Sequence, residues 1–362
     1  MQATMRRLSR RRFLEVGAAA SFLALLSEKP STAQSTPGSG SIVIARNGTP
    51  SELVSGAVKS LGGMDTFVGA GDVVLLKPNA SFSVPAGTGA NTSPGIASTV
   101  ARLAFEAGAS KVIMADHTIN KPGALTVQIN GLREAAEGCG AEFLVLQQES
   151  DFETMDLDQA RTLRKVDVAK AYTESDVLIN LPVLKHHDAT GSSVGLKGLM
   201  GLVYDRTVFH RDGLDATIAD LSLGIRPNLT IVDATKTLVT NGPRGPGELV
   251  DIGKVVAGVD PVAVDVASMA LAYSLGYADF GIDDRNAYVR IAGELGVGES
   301  DPSSVLAKTF EVDVKEEVSP SEPSTKKAGM PAWMPYASLS VASVALGLAA
   351  MIYDRRKTRD AG

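Results

Sequence analysis

The densest run of reactive side chains is Lys185-His186-His187-Asp188, which follows the apolar stretch 177–184 and leads into Thr190-Gly191-Ser192-Ser193-Val194-Gly195-Leu196-Lys197. Two imidazoles beside a carboxylate can bind a divalent metal or pass a proton. Gly191, Ser192 and Gly195 let backbone N–H groups approach an anion, and Lys185 and Lys197 can hold it by charge. The alternative is a flexible loop with exposed histidines.

Three further apolar runs end in polar groups. The run 72–77 ends in Lys77-Pro78-Asn79, where Lys77 can hold a carboxylate or phosphate and Asn79 can orient it, unless the triplet is only a turn. The run 111–116 ends in Asp116-His117, a pair suited to a metal or a proton, although neighbours on a strand point to opposite faces. The run 229–233 ends in Asp233, a base, a metal ligand or a helix N-cap, and the loop Asn241-Gly242-Pro243-Arg244-Gly245-Pro246-Gly247 follows it. His210 sits in the polar stretch 204–211, which can cover a site as a lid. All four histidines thus fall at or just beyond one set of run ends. Catalytic roles go to His187, Lys197 and Asp233, and ligand contacts to Lys77, Asn79, Lys185, Gly191, Ser192 and Gly195. Any metal goes to His117, His187 and His210.

These residues need a scaffold. Runs 41–46, 72–77, 111–116, 143–146, 177–184, 229–233 and 254–258 read as strands. Segments 51–61, 95–107, 127–137, 214–223, 262–275 and 283–294 between them read as helices. Strand runs that are apolar throughout are buried on both faces, so the fold class is α/β, a mostly parallel sheet with helices on both faces. Asp260-Pro261 reads as the N-cap and first residue of its helix, with Asp265 in the first turns. In such sheets ligands bind beyond the carboxyl ends of the strands, where the polar groups collect. The domain, 41–314, reads as one core with an insertion between Gly191 and Gly213, two packed lobes being the alternative.

The ends are of another kind. Residues 1–33 have the basic region, short apolar run and small-residue exit of a secretory signal. Ser9-Arg10-Arg11-Arg12-Phe13-Leu14-Glu15 resembles the twin-arginine export motif, with Glu15 in place of the usual Lys, which implies the twin-arginine translocation machinery as a partner. A linker, 34–40, precedes the domain, and a polar tether, 315–331, follows it. Residues 332–353 are charge-free and flanked by Trp333, Tyr336 and Tyr353, which reads as a transmembrane helix. The tail 354–362 carries Arg355, Arg356, Lys357 and Arg359, which places it in the cytoplasm and the domain on the extracytoplasmic side.

The chain carries a net charge of −6, yet segments 1–33 and 326–362 each hold six Lys/Arg and two Asp/Glu. Between them stand 23 basic and 37 acidic residues, net −14, which argues against nucleic acid as a partner. The lone Cys139 excludes an internal disulfide and a cysteine-ligated iron–sulfur cluster, and reads as a packed thiol or a nucleophile.

Several motifs together resemble the family called domain of unknown function 362. They are Leu76-Lys77-Pro78-Asn79, the run 105–112, Leu184-Lys185-His186-His187 with the glycines 191–201, Ile231-Val232-Asp233, Asn241-Gly242-Pro243, and the run 258–265. Some members of that family carry a ferredoxin-like module, whose cysteines this chain lacks. His187 and Lys197 with a Gly/Ser-rich loop between them, and His210 downstream, also look like the motif of the lactate racemase family. Its members hold a nickel-pincer nucleotide covalently on a lysine. That likeness implies Lys197 as the attachment residue and His187 and His210 as metal ligands or proton carriers, although the family's Pro-Gly after the lysine is missing here. The expected function is an enzyme acting on or carrying an anionic small molecule. The alternatives are a non-catalytic binding or scaffold module at the membrane and an enzyme with a metal cofactor.

Overall fold

Runs such as Val73-Val74-Leu75-Leu76 present apolar side chains to both faces, so the sheet they form has to be covered on both sides. The structure, a computed structural model, describes residues 40–315. The expected signal peptide, membrane helix and tail lie outside them, as do all but one residue of the linker and of the tether. Among the described residues no helix is long and apolar enough to cross a membrane.

The chain opens with β1 (Ile42–Arg46), α1 (Pro50–Ser60), β2 (Val73–Pro78), α2 (Pro94–Glu106) and β3 (Lys111–Asp116). It continues through α3 (Gly123–Ile129), α4 (Leu132–Glu137), β4 (Glu142–Val145), the hairpin β5 (Phe152–Asp156) and β6 (Lys165–Ala169), and α5 (Lys170–Thr173). Then come β7 (Val177–Leu181), β8 (Val183–His187), β9 (Gly191–Ser193), α6 (Gly195–Gly198), α7 (Thr207–Arg211) and α8 (Leu214–Gly224). β10 (Leu229–Leu238), β11 (Leu249–Gly258), α9 (Pro261–Ser274), α10 (Ala287–Glu294), α11 (Pro302–Ala307) and β12 (Thr309–Asp313) complete the described chain.

The main sheet runs β12-β1-β11-β10-β7-β2-β3-β4, and β8 and β9 extend it beyond β10. Neighbours from β10 through β7, β2 and β3 to β4 are parallel, while β11 is antiparallel to both β1 and β10. Side chains alternate as the pleat requires. Val74 and Leu76 pack with α1 and α2 through Leu53, Val54, Ile96 and Val100, whereas Leu75 joins the opposite core with α8 and α9. The mostly parallel α/β architecture with both faces covered is the expected one.

Several boundaries differ from the expectation for identifiable reasons. The strand expected over 177–184 is interrupted at Pro182, which has no N–H to donate and whose carbonyl accepts the Asp233 amide at 2.8 Å. The helix expected over 127–137 is two helices separated by Gly131, whose φ of 78° lies in the left-handed region. The β5–β6 hairpin was not anticipated, because its strands expose most of one face and carry a weak apolar pattern. Residues 191–213, expected as an insertion, supply Val194, Leu196, Leu199, Leu202 and Phe209 to the core under α9.

The helix starts follow the local chemistry. Thr49 and Glu52 cap α1 reciprocally, and the Asp260 carboxylate accepts the Val262 and Ala263 amides at the start of α9, with Pro261 in its first turn. Because β2, β3 and β7 are parallel, Lys77, Asp116 and the turn into β8 emerge along one edge of the sheet.

Candidate active site

A cavity of about 450 Å³ opens at that carboxyl edge, within the size range of small-molecule sites. Asn79 after β2, His117 after β3, Lys185 and His187 on β8, Lys197 on α6 and His210 on α7 all line it. Parallel pairing therefore brings together six residues that 131 positions of sequence separate at the extremes. The segment 204–207 lines it too, so the polar stretch lies where a lid was expected.

Three buried lysines stand around this edge, and their acceptors distinguish them. Lys77 is 2% exposed and lies behind the lining; its Nζ meets Asp116 Oδ1 at 2.9 Å and donates to the Pro78 carbonyl at 2.8 Å. Asp116 also accepts the Ala80 amide at 2.7 Å, so the pair neutralises itself inside the fold. Lys185 lines the cavity, donates to Asn79 Oδ1 at 3.2 Å and to the Ala90 carbonyl, and lies 4.9 Å from the centre of the Phe82 ring. Lys197, 8% exposed, has as its polar contact only the Met200 sulfur at 3.8 Å, and no carboxylate of the described residues lies within ion-pair distance. A thioether is a weak acceptor, so Lys197 is a buried amine without an adequate partner.

Burial and crowding of like charge set the protonation states. Desolvation, then the charge of Lys197, pulls the Lys185 ammonium down to about 7. Desolvation likewise lowers Lys197 to about 8, against the pull of Asp188 and Asp215. His187 is lowered to about 2 by burial and then by Lys197 and Lys185, so its imidazole is neutral at any ordinary pH. Arg206 adds a further cation to the lining and donates to the carbonyls of His117 and Thr118 at 2.9 and 3.3 Å. Among the described residues, Asp205 is the one carboxylate in the lining. A cavity rich in cations thus sits in a domain whose sequence is strongly acidic.

The remaining residues singled out by sequence have other placements. His186 does not line the cavity: its Nδ1 accepts the Gly242 amide at 3.0 Å and its Nε2 faces Asp279 at 3.4 Å. His117 is held by the Val203 carbonyl at 2.9 Å and stacks on Tyr204. Gly191, Ser192 and Gly195 do not reach the cavity. Ser192 donates through its hydroxyl to Asn286 at 2.7 Å, and Gly191 adopts a φ of 67° where a Cβ would meet the Asn286 amide nitrogen at 2.8 Å. Gly195 and Leu196 give their amides to the buried Asp265 carboxylate at 2.8 and 3.0 Å, so this glycine admits the chain's own carboxylate rather than a ligand. Asp233 lies apart, against a separate cavity of about 280 Å³ beside Pro50 and Ser93. It accepts the Ser93 amide at 2.8 Å and the Thr235 hydroxyl at 2.6 Å from inside β10, which runs on to Leu238 instead of ending at Asp233 as expected. Cys139 donates to the Ala135 and Ala136 carbonyls at the end of α4, as a packed thiol does.

His117, His187 and His210 share the cavity, but among the described residues no group of three or more His, Cys, Asp or Glu could hold a metal ion. Sequence reasoning missed Arg206 as a cavity cation, Phe82 under Lys185 and Asp265 behind α6. The first stood inside the polar stretch already noted; the other two act across long sequence separations that local pattern does not report.

Over 222 residues the chain is 31% identical to a thylakoid-associated protein of Synechocystis sp., covering 58% of this chain and 65% of that protein's length. Among solved structures, the lactate racemase apoprotein of Thermoanaerobacterium thermosaccharolyticum matches 60% of this chain and 54% of its own, at 14% identity and a TM-score of 0.36. A protein from Thermotoga maritima matches 68% of this chain and 58% of its own, at 13% identity and a TM-score of 0.32. Likenesses this partial bear on neither the fold nor the chemistry. The family description "domain of unknown function (DUF362)" matches residues 74–270, which hold β2 through most of α9 and every cavity residue, and the chain belongs to that family.

Proposed function

We propose that the domain is an enzyme acting on an anionic small molecule bound in the cavity at the carboxyl edge of the sheet. The observation that carries this reading is Lys197, a buried amine with no carboxylate partner among the described residues, in a lining that also holds Lys185 and Arg206. Burying unpaired positive charge is costly, and an anionic ligand would offset that cost. With the anion against Lys185 and Arg206, the Lys197 amine is the group free to take or return a proton, and the neutral His187 imidazole, whose Nδ1 accepts the Ala189 amide at 3.1 Å, is left as a hydrogen-bond donor. Malonate and inorganic phosphate, added to the purified full-length chain, are expected to raise its unfolding temperature, and Arg206→Gln is expected to reduce the shift. No shift with either anion would sink the reading. A non-catalytic binding module is the competing outcome: it would bind malonate yet fail to wash solvent deuterium into the carbon-bound hydrogens of any bound acid.

The second reading is a metal cofactor attached through Lys197. It is favoured by the same free amine and by His187 and His210 on the same lining. Such a group would supply the redox or Lewis-acid chemistry, while the described residues would supply imidazoles and an amine rather than a complete ligand set. Metal content and intact mass of the full-length chain separate the two readings, because only the attached cofactor adds mass at Lys197.

The same chain, we propose, is exported by the twin-arginine route and anchored by 332–353, with the domain outside and the tail 354–362 in the cytoplasm. The thylakoid association of the Synechocystis relative agrees with a membrane location. Protease added to intact cells is expected to remove the domain and spare a tag placed after residue 362.

A further inference from the structure

We propose that the anionic ligand also carries a carbonyl group, and that Lys197 forms an iminium with it; this rests on the reading of the cavity as an anion site. The three buried lysines at this edge differ in their acceptors. Lys77 is consumed by Asp116 and the Pro78 carbonyl, and Lys185 by Asn79 and the Ala90 carbonyl. Both nitrogens are anchored by these acceptors, and Lys185 keeps one N–H for the cavity that it lines. Lys197 is 8% exposed, lines the cavity and meets only the Met200 sulfur at 3.8 Å, so its nitrogen is the one that can turn to a bound carbon. A lysine desolvated beside other cations is the usual form of an amine nucleophile. Its ammonium lowered to about 8 leaves an appreciable share of free amine near neutral pH.

The step balances without any further reactant. The free amine of Lys197 attacks the carbonyl carbon, forming the C–N bond as the C=O π pair moves to oxygen. That oxygen takes up protons, one of them from the attacking nitrogen, and leaves as water, so lysine ammonium plus carbonyl gives iminium plus water. The proton that the Lys197 ammonium gives up to become the free amine returns to the departing oxygen through water in the cavity, and His187, whose Nδ1 accepts the Ala189 amide at 3.1 Å, can donate a hydrogen bond to that oxygen from its other ring nitrogen. Lys185 and Arg206 hold the acid group meanwhile, which orients the carbonyl. The cavity of about 450 Å³ accepts a small 2-oxo acid with room for water to leave.

The test treats the full-length chain with glyoxylate or pyruvate and then sodium borohydride, which makes an iminium permanent as a secondary amine, and maps the adduct by mass spectrometry. The expected result is modification of Lys197 in large excess over exposed lysines such as Lys111 and Lys165, suppressed by malonate and absent from Lys197→Met. If Lys197→Met does not fold, the map of the wild-type chain decides alone. Malonate binding without a Lys197 adduct overturns the iminium and leaves the anion reading standing. Neither adduct nor binding of malonate or phosphate overturns both. An adduct spread evenly over exposed lysines overturns the iminium as well.

Discussion

Asp265 Oδ1 accepts the Gly195 amide at 2.8 Å across 70 residues of sequence, and this bond fixes where α6 begins. The second carboxylate oxygen takes the Leu196 amide at 3.0 Å, so both free amides of the turn point away from the cavity and into α9. A Cβ at Gly195 would lie 2.7 Å from Asp265 Oδ1, which is why a glycine stands there. Lys197 follows two residues later and is aimed by this arrangement.

Replacing Asp265 with Asn keeps the shape and removes one acceptor, turning an NH₂ toward a backbone amide. The expected loss is about 1–3 kcal/mol for a buried donor left unsatisfied. Burial lifts the Asp265 carboxyl to about 7. The folded state therefore binds this proton more tightly than the unfolded chain, whose carboxyl titrates near about 3.9. Its contribution to stability is complete below that value and is lost as pH rises through about 7. Urea unfolding across this range should show the slope in the wild type and lose it in Asp265→Asn. An unchanged slope would place its origin elsewhere.

The Lys77–Asp116 pair gives a second prediction. Both groups are buried, and Gly201 packs so closely that a Cβ there would lie 2.8 Å from Lys77 Nζ. Lys77→Met leaves Asp116 charged and unpaired, at an expected cost of about 3–5 kcal/mol. Gly201→Ala should cost less, about 1–3 kcal/mol, because the ion pair can shift but not disappear. Measured in equilibrium urea unfolding, the reverse order would show that the pair contributes little to this edge.

What the sequence discloses here follows from the range of each interaction. The fully apolar run at β2 and the polar groups at the ends of β2, β3 and β8 are local facts, and they place Asn79, Lys185 and Lys197 at one edge. Gly191, Ser192 and Gly195 are local facts of the same kind, yet a glycine admits a ligand or the chain's own carboxylate equally well. Asp265 decided between the two, and nothing near residue 195 announces it. The same holds for Asp233, whose bond to the distant Ser93 amide no local pattern announces.

Anion binding should depend on pH in a direction opposite to that of the empty protein's stability. Lys185 and Lys197 are pulled down to about 7 and about 8 in the fold. Unfolded, both titrate near about 10.4. Their combined contribution to stability is therefore present above the unfolded value and lost as pH falls through about 8 and then about 7. A bound anion needs the ammonium forms, so the malonate-induced rise in unfolding temperature should shrink as pH climbs from about 6 to about 9. Thermal unfolding with and without malonate over this range reads both trends. A malonate effect that grows with pH would contradict the assignment of Lys185 to the anion, beside the charge of Lys197.

Asp233 supplies the sharpest separation between structure and chemistry. Its carboxylate accepts the Ser93 amide at 2.8 Å just before α2, and the Thr235 amide and hydroxyl at 3.0 and 2.6 Å. Burial raises its pKa, while these three donors oppose the rise. Asn at this position can keep one set of donors and must turn its NH₂ toward the other, at an expected cost of about 1–3 kcal/mol. Because Asp233 faces a cavity that shares no residue with the lysine site, Asp233→Asn should leave malonate binding and the yield of the Lys197 adduct unchanged. Unfolding curves and borohydride trapping on one preparation check both halves. A normally stable Asp233→Asn chain that no longer binds malonate would return Asp233 to the catalytic set first expected of it.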